Sequence, residues 1–170
     1  MYAGRLLAWK GLRLALAVLR RPEVSEWRLE VYGEGPERRR LELLAARWRL
    51  SDRVRFYGSR PREDVLDAFG SADVFMFPSL HDSAGWSVAE AMGVGCPVLC
   101  LDTGGPPTLV GVEDGVVVPL GGDVLGKLAS GLDQARELRP RREQWSARRI
   151  PDLLDELYSS LVPGRDRMAS

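Results

Sequence analysis

The chain has 170 residues, enough for one domain with a sizeable core. Hydrophobic residues make up 45% and charged residues 28%, which excludes a disordered chain. The 24 basic and 24 acidic side chains cancel, which argues against nucleic-acid binding by a positive field, and no apolar run of about 18 residues offers a transmembrane helix.

Met1-Tyr2-Ala3-Gly4-Arg5 has no signal-peptide pattern. A doubly wound unit would begin with a strand before Gly4, and three residues are left for it, so a preceding N-terminal domain is expected to be absent. Arg5 and Lys10 read either as a solvated loop pair or as two cations closing over a diphosphate at a sheet edge. Leu12, Leu14, Leu16, Val18 and Leu19 predict a helix after Gly11. Trp27 to Tyr32 predicts a strand, and Gly33-Glu34-Gly35-Pro36 a tight turn. Arg38 stands where the third glycine of a dinucleotide fingerprint would fall, which argues against a nicotinamide site.

Leu41, Leu44, Ala45 and Trp48 recur at helical spacing over 36–48. The arginines of that helix read as a solvated face, because no aromatic platform interleaves with them. Arg53 to Tyr57 predicts a strand ended by Gly58, 61–69 a short helix, and 73–77 a buried strand. Gly85 to Gly93 predicts a helix stopped by Gly93-Val94-Gly95, and Pro97 to Leu101 another buried strand. Asp102-Thr103-Gly104-Gly105-Pro106-Pro107 is either a tight turn or a loop whose backbone approaches a ligand. A last strand is expected at 116–119, helices at 122–138, 141–149 and 151–161, and a disordered tail at 163–170. The two cysteines, Cys96 and Cys100, lie about 13 Å apart along an extended strand, too far for a disulfide, and read as reduced thiols of a cytoplasmic protein.

Strands alternating with helices predict an α/β Rossmann-like domain over 1–162, with one parallel sheet of about six strands. The stretch from Phe77 to Met92 organises it. A buried strand ends at Pro78, a polar turn follows, and a helix opens near Ser83-Ala84-Gly85. Such a helix start, at the carboxyl end of a strand, suits a phosphate. Asp82 and Glu90 flank it and are placed to hold sugar hydroxyls on either side of that phosphate. His81, the only histidine, reads as an acid/base or as a loop residue packed on the strand end.

These pieces, in this order, resemble the C-terminal, donor-binding domain of the group 1 type of retaining glycosyltransferases, which have the two-domain GT-B fold. The resemblance rests on Gly4-Arg5-Leu6, Lys10-Gly11, Gly33-Glu34-Gly35-Pro36, Arg53-Val54-Arg55-Phe56-Tyr57-Gly58, Pro78-Ser79, Asp82 with Glu90, Gly95-Cys96-Pro97-Val98 and Gly104-Gly105. It implies that Arg5 and Lys10 neutralise the donor diphosphate and that Tyr57, Gly58, Ser59 and Arg60 meet the base, largely through main chain. It implies that Glu90 holds the ribose hydroxyls, that the N–H groups of Gly85, Trp86 and Ser87 face the phosphates, and that Asp82, the catalytic residue, sits near the transferred sugar's hydroxyls and anomeric carbon. The family's first acid is usually Glu, and its usual Gly-Phe is here Ser83-Ala84.

The expected ligand is a nucleotide-diphospho-sugar, taken as substrate, with no cofactor and no metal. The acceptor, a glycan, lipid or small molecule, would be held by the missing N-terminal domain, so the chain alone is expected to be inactive. A nucleotide-sugar-binding module acting with a partner chain and a nucleotide-sugar epimerase of the same fold are the alternatives. The helix at 151–161 suggests an apolar face for self-association.

Overall fold

Two strands set the layering. β4 (Phe75–Phe77) and β5 (Val98–Leu101) are buried at every residue, as expected of parallel strands covered on both faces. Their side chains alternate between two cores. Phe75, Phe77, Val98 and Cys100 belong to one, and Met76, Leu99 and Leu101 to the other. The computed structural model that shows this describes residues 1–83 and 85–140. The helices expected at 141–149 and 151–161, the tail at 163–170 and Ala84 lie outside the described residues.

The remaining strands are β1 (Tyr2–Ala3), β2 (Leu29–Tyr32), β3 (Val54–Gly58) and β6 (Gly115–Val118). The helices are α1 (Leu12–Val18), α2 (Arg38–Arg47), α3 (Arg62–Ser71), α4 (Trp86–Gly93) and α5 (Val124–Arg136). Leu12 and Leu16 of α1, Leu41 of α2 and Leu128 of α5 fill the first core; Phe69 of α3 and Val88 and Met92 of α4 fill the second. Asp123 caps α5, its Oδ1 accepting from Gly126 N–H at 2.9 Å.

All pairings are parallel, in the orders β1-β2-β3 and β4-β5-β6. The expectation of one sheet of about six strands is therefore corrected to two three-stranded ladders. The reason is the length of β1, two residues, which cannot carry a continuous ladder on both sides. It still meets β4, because Met76 N–H donates to Met1 O at 2.9 Å and the Met1 nitrogen to Val74 O at 2.6 Å. Across that seam the strands follow the doubly wound sequence β3-β2-β1-β4-β5-β6. Three short 3-10 turns, Ala8–Lys10, Pro22–Val24 and Pro106–Thr108, carry too few residues to leave a periodic signal in the sequence.

Arg53, beside β3, ties three segments together. Its guanidinium donates to Trp27 O and Leu19 O, both at 2.9 Å, and to Val24 O. Hydrogen bonds from charged groups contribute about 1.5–3 kcal/mol each, and part of this is recovered by water in a half-buried setting. Arg53→Ala is expected to cost about 2–3 kcal/mol, read as a lower urea midpoint, and Arg53→Lys recovers only a part because an ammonium cannot span three carbonyls.

Cys96 and Cys100 are free and buried. Burial pushes the Cys96 thiol up to about 11 and the Cys100 thiol up to about 12. In the unfolded chain both ionise near the ordinary value of about 8.5. Their contribution to stability is therefore complete below that value and declines as pH rises from there toward 11–12. Folded protein at pH 8 is expected to leave both thiols unreacted with a disulfide reagent until denaturant is added, and urea midpoints are expected to fall between pH 8.5 and 10.5.

Candidate functional site

Because every strand pairing is parallel, the strands end at one common edge, where ligands bind in open α/β sheets. The loops there are stitched by main-chain bonds. Leu6 N–H donates to Glu34 O at 2.9 Å, Gly33 N–H to Gly58 O at 2.7 Å, Leu80 N–H to Trp9 O at 2.8 Å and Gly105 N–H to Asp82 O at 2.9 Å. Ser79, 3% exposed, donates through its hydroxyl to His81 O at 3.0 Å, while Thr103 Oγ1 donates to Ser79 O at 2.7 Å. His81 itself is exposed, and the loop holds its carbonyl.

Two glycines permit close backbone approaches to the β4–α4 loop. At Gly11, with φ 72°, a Cβ would lie 1.8 Å from Pro78 O; at Gly104, with φ 66°, it would lie 2.2 Å from Asp82 O. They press the β1 loop and the β5 loop against the β4–α4 loop from its two sides. Between these contacts Lys10 forms an ion pair with Asp82, their side chains 21% and 14% exposed. The pair straddles the seam between β1 and β4, where the strand order reverses. Asp82 Oδ1 also lies 3.4 Å from the Gly85 nitrogen. Burial, and after it the charge of Asp82, pushes the Tyr2 phenol above its ordinary range. The Tyr2 hydroxyl donates to Arg5 O at 3.1 Å and so braces the same loop.

Of the other predicted site residues, Arg5, Ser59 and Arg60 are exposed at this edge. Gly58 sits at φ 76° with its carbonyl taken by Gly33. Tyr57 turns its side chain to the sheet face, where its hydroxyl donates to Glu30 at 3.0 Å and its ring stacks on Tyr32 at 4.8 Å. Burial, then Glu30, pushes the Tyr32 phenol up to about 12. Gly85 precedes α4 at φ 62°, and its N–H faces Asp82; the N–H groups of Trp86 and Ser87 make no hydrogen bond among the described residues. Glu90, one turn into α4, accepts from Arg62 Nε at 2.7 Å.

Sequence reasoning brought out the loops, Ser79 and Thr103 among their residues, but gave no role to these two or to Arg62. Ser79 and Thr103 act by bracing one loop on the next, which no spacing encodes, and Arg62 appears in the sequence only as one more arginine at a helix start. Among the described residues no group of three or more His, Cys, Asp or Glu side chains is placed to hold a metal, and no helix is long and apolar enough to cross a membrane. A cavity of about 700 Å³ lies at the opposite edge, among Glu23, Trp27, Arg28, Asp73 and Arg136 at the amino ends of β2 and β4. None of the loop residues described above lines it. Chemically, the carboxyl edge offers a cation, helix-start N–H groups with no hydrogen bond among the described residues and two carboxylates, a set suited to an anion flanked by hydroxyls.

Comparison with known proteins agrees with this fold. Residues 1–149 match the family model for glycosyl transferases group 1. The 2-deoxystreptamine N-acetyl-D-glucosaminyltransferase of Streptomyces fradiae is 32% identical over 95% of this chain, and the D-inositol 3-phosphate glycosyltransferase of Corynebacterium jeikeium 32% identical over 98%. The chain spans 39% and 44% of the length of these relatives. Among solved structures, the pneumococcal O-GlcNAc transferase GtfA, in complex with UDP and GlcNAc, superposes with a TM-score of 0.75 at 19% identity, over 96% of this chain and 35% of that one. The chain therefore belongs to the group 1 glycosyltransferases, as a Rossmann-like α/β domain of GT-B type.

Proposed function

We propose that this chain is the donor-binding half of a retaining glycosyltransferase. It holds a nucleotide-diphospho-sugar, and the complete enzyme passes the hexosyl group to a glycan, lipid or small-molecule acceptor. The observation that carries the reading is the Lys10–Asp82 pair beside the start of α4, with Glu90 one turn inside the same helix. As the bond between the anomeric carbon and the diphosphate breaks, its electron pair passes to the leaving oxygen. Arg5, Lys10 and the N–H groups of Trp86 and Ser87 stabilise the charge that grows there. Asp82, drawn partly free of Lys10, faces the hexose. The main chain of 57–60 meets the base, and Glu90 accepts from the ribose hydroxyls. The relatives' additional length leaves room for acceptor contacts outside this chain, which by itself has little or no transferase activity.

Calorimetric titration with UDP, GDP and ADP tests this. One of the three is expected to bind, and Glu90→Ala to weaken it about 10-fold, as for loss of a hydrogen bond to a charged group. No binding of any of them up to millimolar concentration overturns the reading, as does full-rate transfer by the isolated chain.

A further inference from the structure

Arg62 opens α3 immediately after Pro61, which is held at φ −51° and ψ 149° and fixes how the chain enters that helix. The segment 57–60 precedes it. The far end of α3 is anchored by Phe69, which is fully buried with its ring edge-on to Phe75 at 4.7 Å. From this fixed base Arg62 crosses to α4 and donates from Nε to Glu90 Oε1 at 2.7 Å. The arginine side chain is 71% exposed and that of Glu90 32% exposed. Glu90 Oε2 accepts no hydrogen bond among the described residues.

We infer that Arg62 is a positioning residue, which presents the Glu90 carboxylate to the vicinal hydroxyls of a nucleotide ribose. This rests on the donor-binding reading given above. A carboxylate offers about four lone-pair sites, and the Arg62 bond uses one. The rest suffice for two hydroxyls, so the ligand has no need to displace the arginine. A glutamate rotating freely about its side-chain bonds loses that freedom when a ligand arrives. Here the loss is taken in advance, through a charge-assisted hydrogen bond. An exposed ion pair adds little to fold stability, so the effect falls on the ligand.

The test is a coupling measurement by calorimetry, with whichever of UDP, GDP and ADP binds and its 2′-deoxy counterpart, on the 170-residue chain. Arg62→Ala is expected to weaken the ribonucleotide about 3–10-fold, Arg62→Lys less, with the melting temperature changed by no more than about 2 °C. The loss should shrink to less than about twofold for the 2′-deoxy nucleotide, and likewise when Arg62→Ala is added to Glu90→Ala. Unchanged or tighter binding by Arg62→Ala overturns the inference, because a competitor for Glu90 would give that result. So does equal weakening of the ribo and deoxy ligands, which marks a general charge effect. If Glu90→Ala weakens binding and Arg62→Ala does not, this inference fails and donor binding stands. If the unsubstituted chain binds no nucleotide, both fail.

Discussion

Lys10→Ala will weaken nucleoside diphosphate binding by about 10–100-fold, the range for losing a charge-assisted hydrogen bond worth about 1.5–3 kcal/mol. Two effects add in the same direction. The diphosphate loses a cation, and the Asp82 carboxylate, with a side chain only 14% exposed, is left beside the ligand without its partner. Calorimetry at low and physiological salt checks it, and the loss should be larger at low salt. Asp82→Asn separates the two effects. It frees Lys10 and retains an acceptor toward Gly85, so diphosphate affinity should stay within about threefold of the unsubstituted chain. If Lys10→Ala binds as tightly as the unsubstituted chain, Lys10 has no place in the donor site.

The second large effect concerns the fold around the same pair. Gly11→Ala places a methyl group 1.8 Å from Pro78 O at a residue with φ 72°. The left-handed conformation costs about 1–2 kcal/mol for a side-chain-bearing residue, and forcing apart packed backbone adds about 1–3 kcal/mol. A total of about 2–5 kcal/mol corresponds to a melting temperature about 5–15 °C lower for a chain of this size. The β1 and β4 loops should separate in the process, so nucleotide affinity should fall even at temperatures where the variant remains folded. A thermal scan showing no change would mean that the two loops are not in contact in solution.

Most of the architecture could be read from residue pattern, for identifiable reasons. Phe75–Phe77 and Val98–Leu101 are continuous apolar runs bounded by proline and polar turns, which only a strand covered on both faces explains. The helix at Arg62–Ser71 is legible to within a few residues from the proline at its start, and that at Arg38–Arg47 from apolar spacing along its length. The break between two ladders was not legible, since it depends on the two-residue length of β1 and on bonds between residues more than seventy positions apart. The same holds at the candidate site. Lys10 and Asp82 were each legible as candidates, Asp82 from the rule that ligands sit at the carboxyl ends of strands and Lys10 from the family resemblance, but their ion pair with each other was not. The engagement of Glu90 by Arg62, and of Tyr57 by Glu30, depends on side-chain reach across neighbouring elements, which leaves no trace in spacing.

The meeting of β1 with β4 has a dynamic consequence. Two amides, Met76 N–H to Met1 O and Leu80 N–H to Trp9 O, bridge the two ladders, one between the strands and one between the loops above them. Deuterium uptake at these two positions therefore reports how often the halves part. If an anion draws Lys10 away from Asp82, the Leu80 amide should exchange faster while Met76 stays protected, turning one amide into a gauge of ligand arrival.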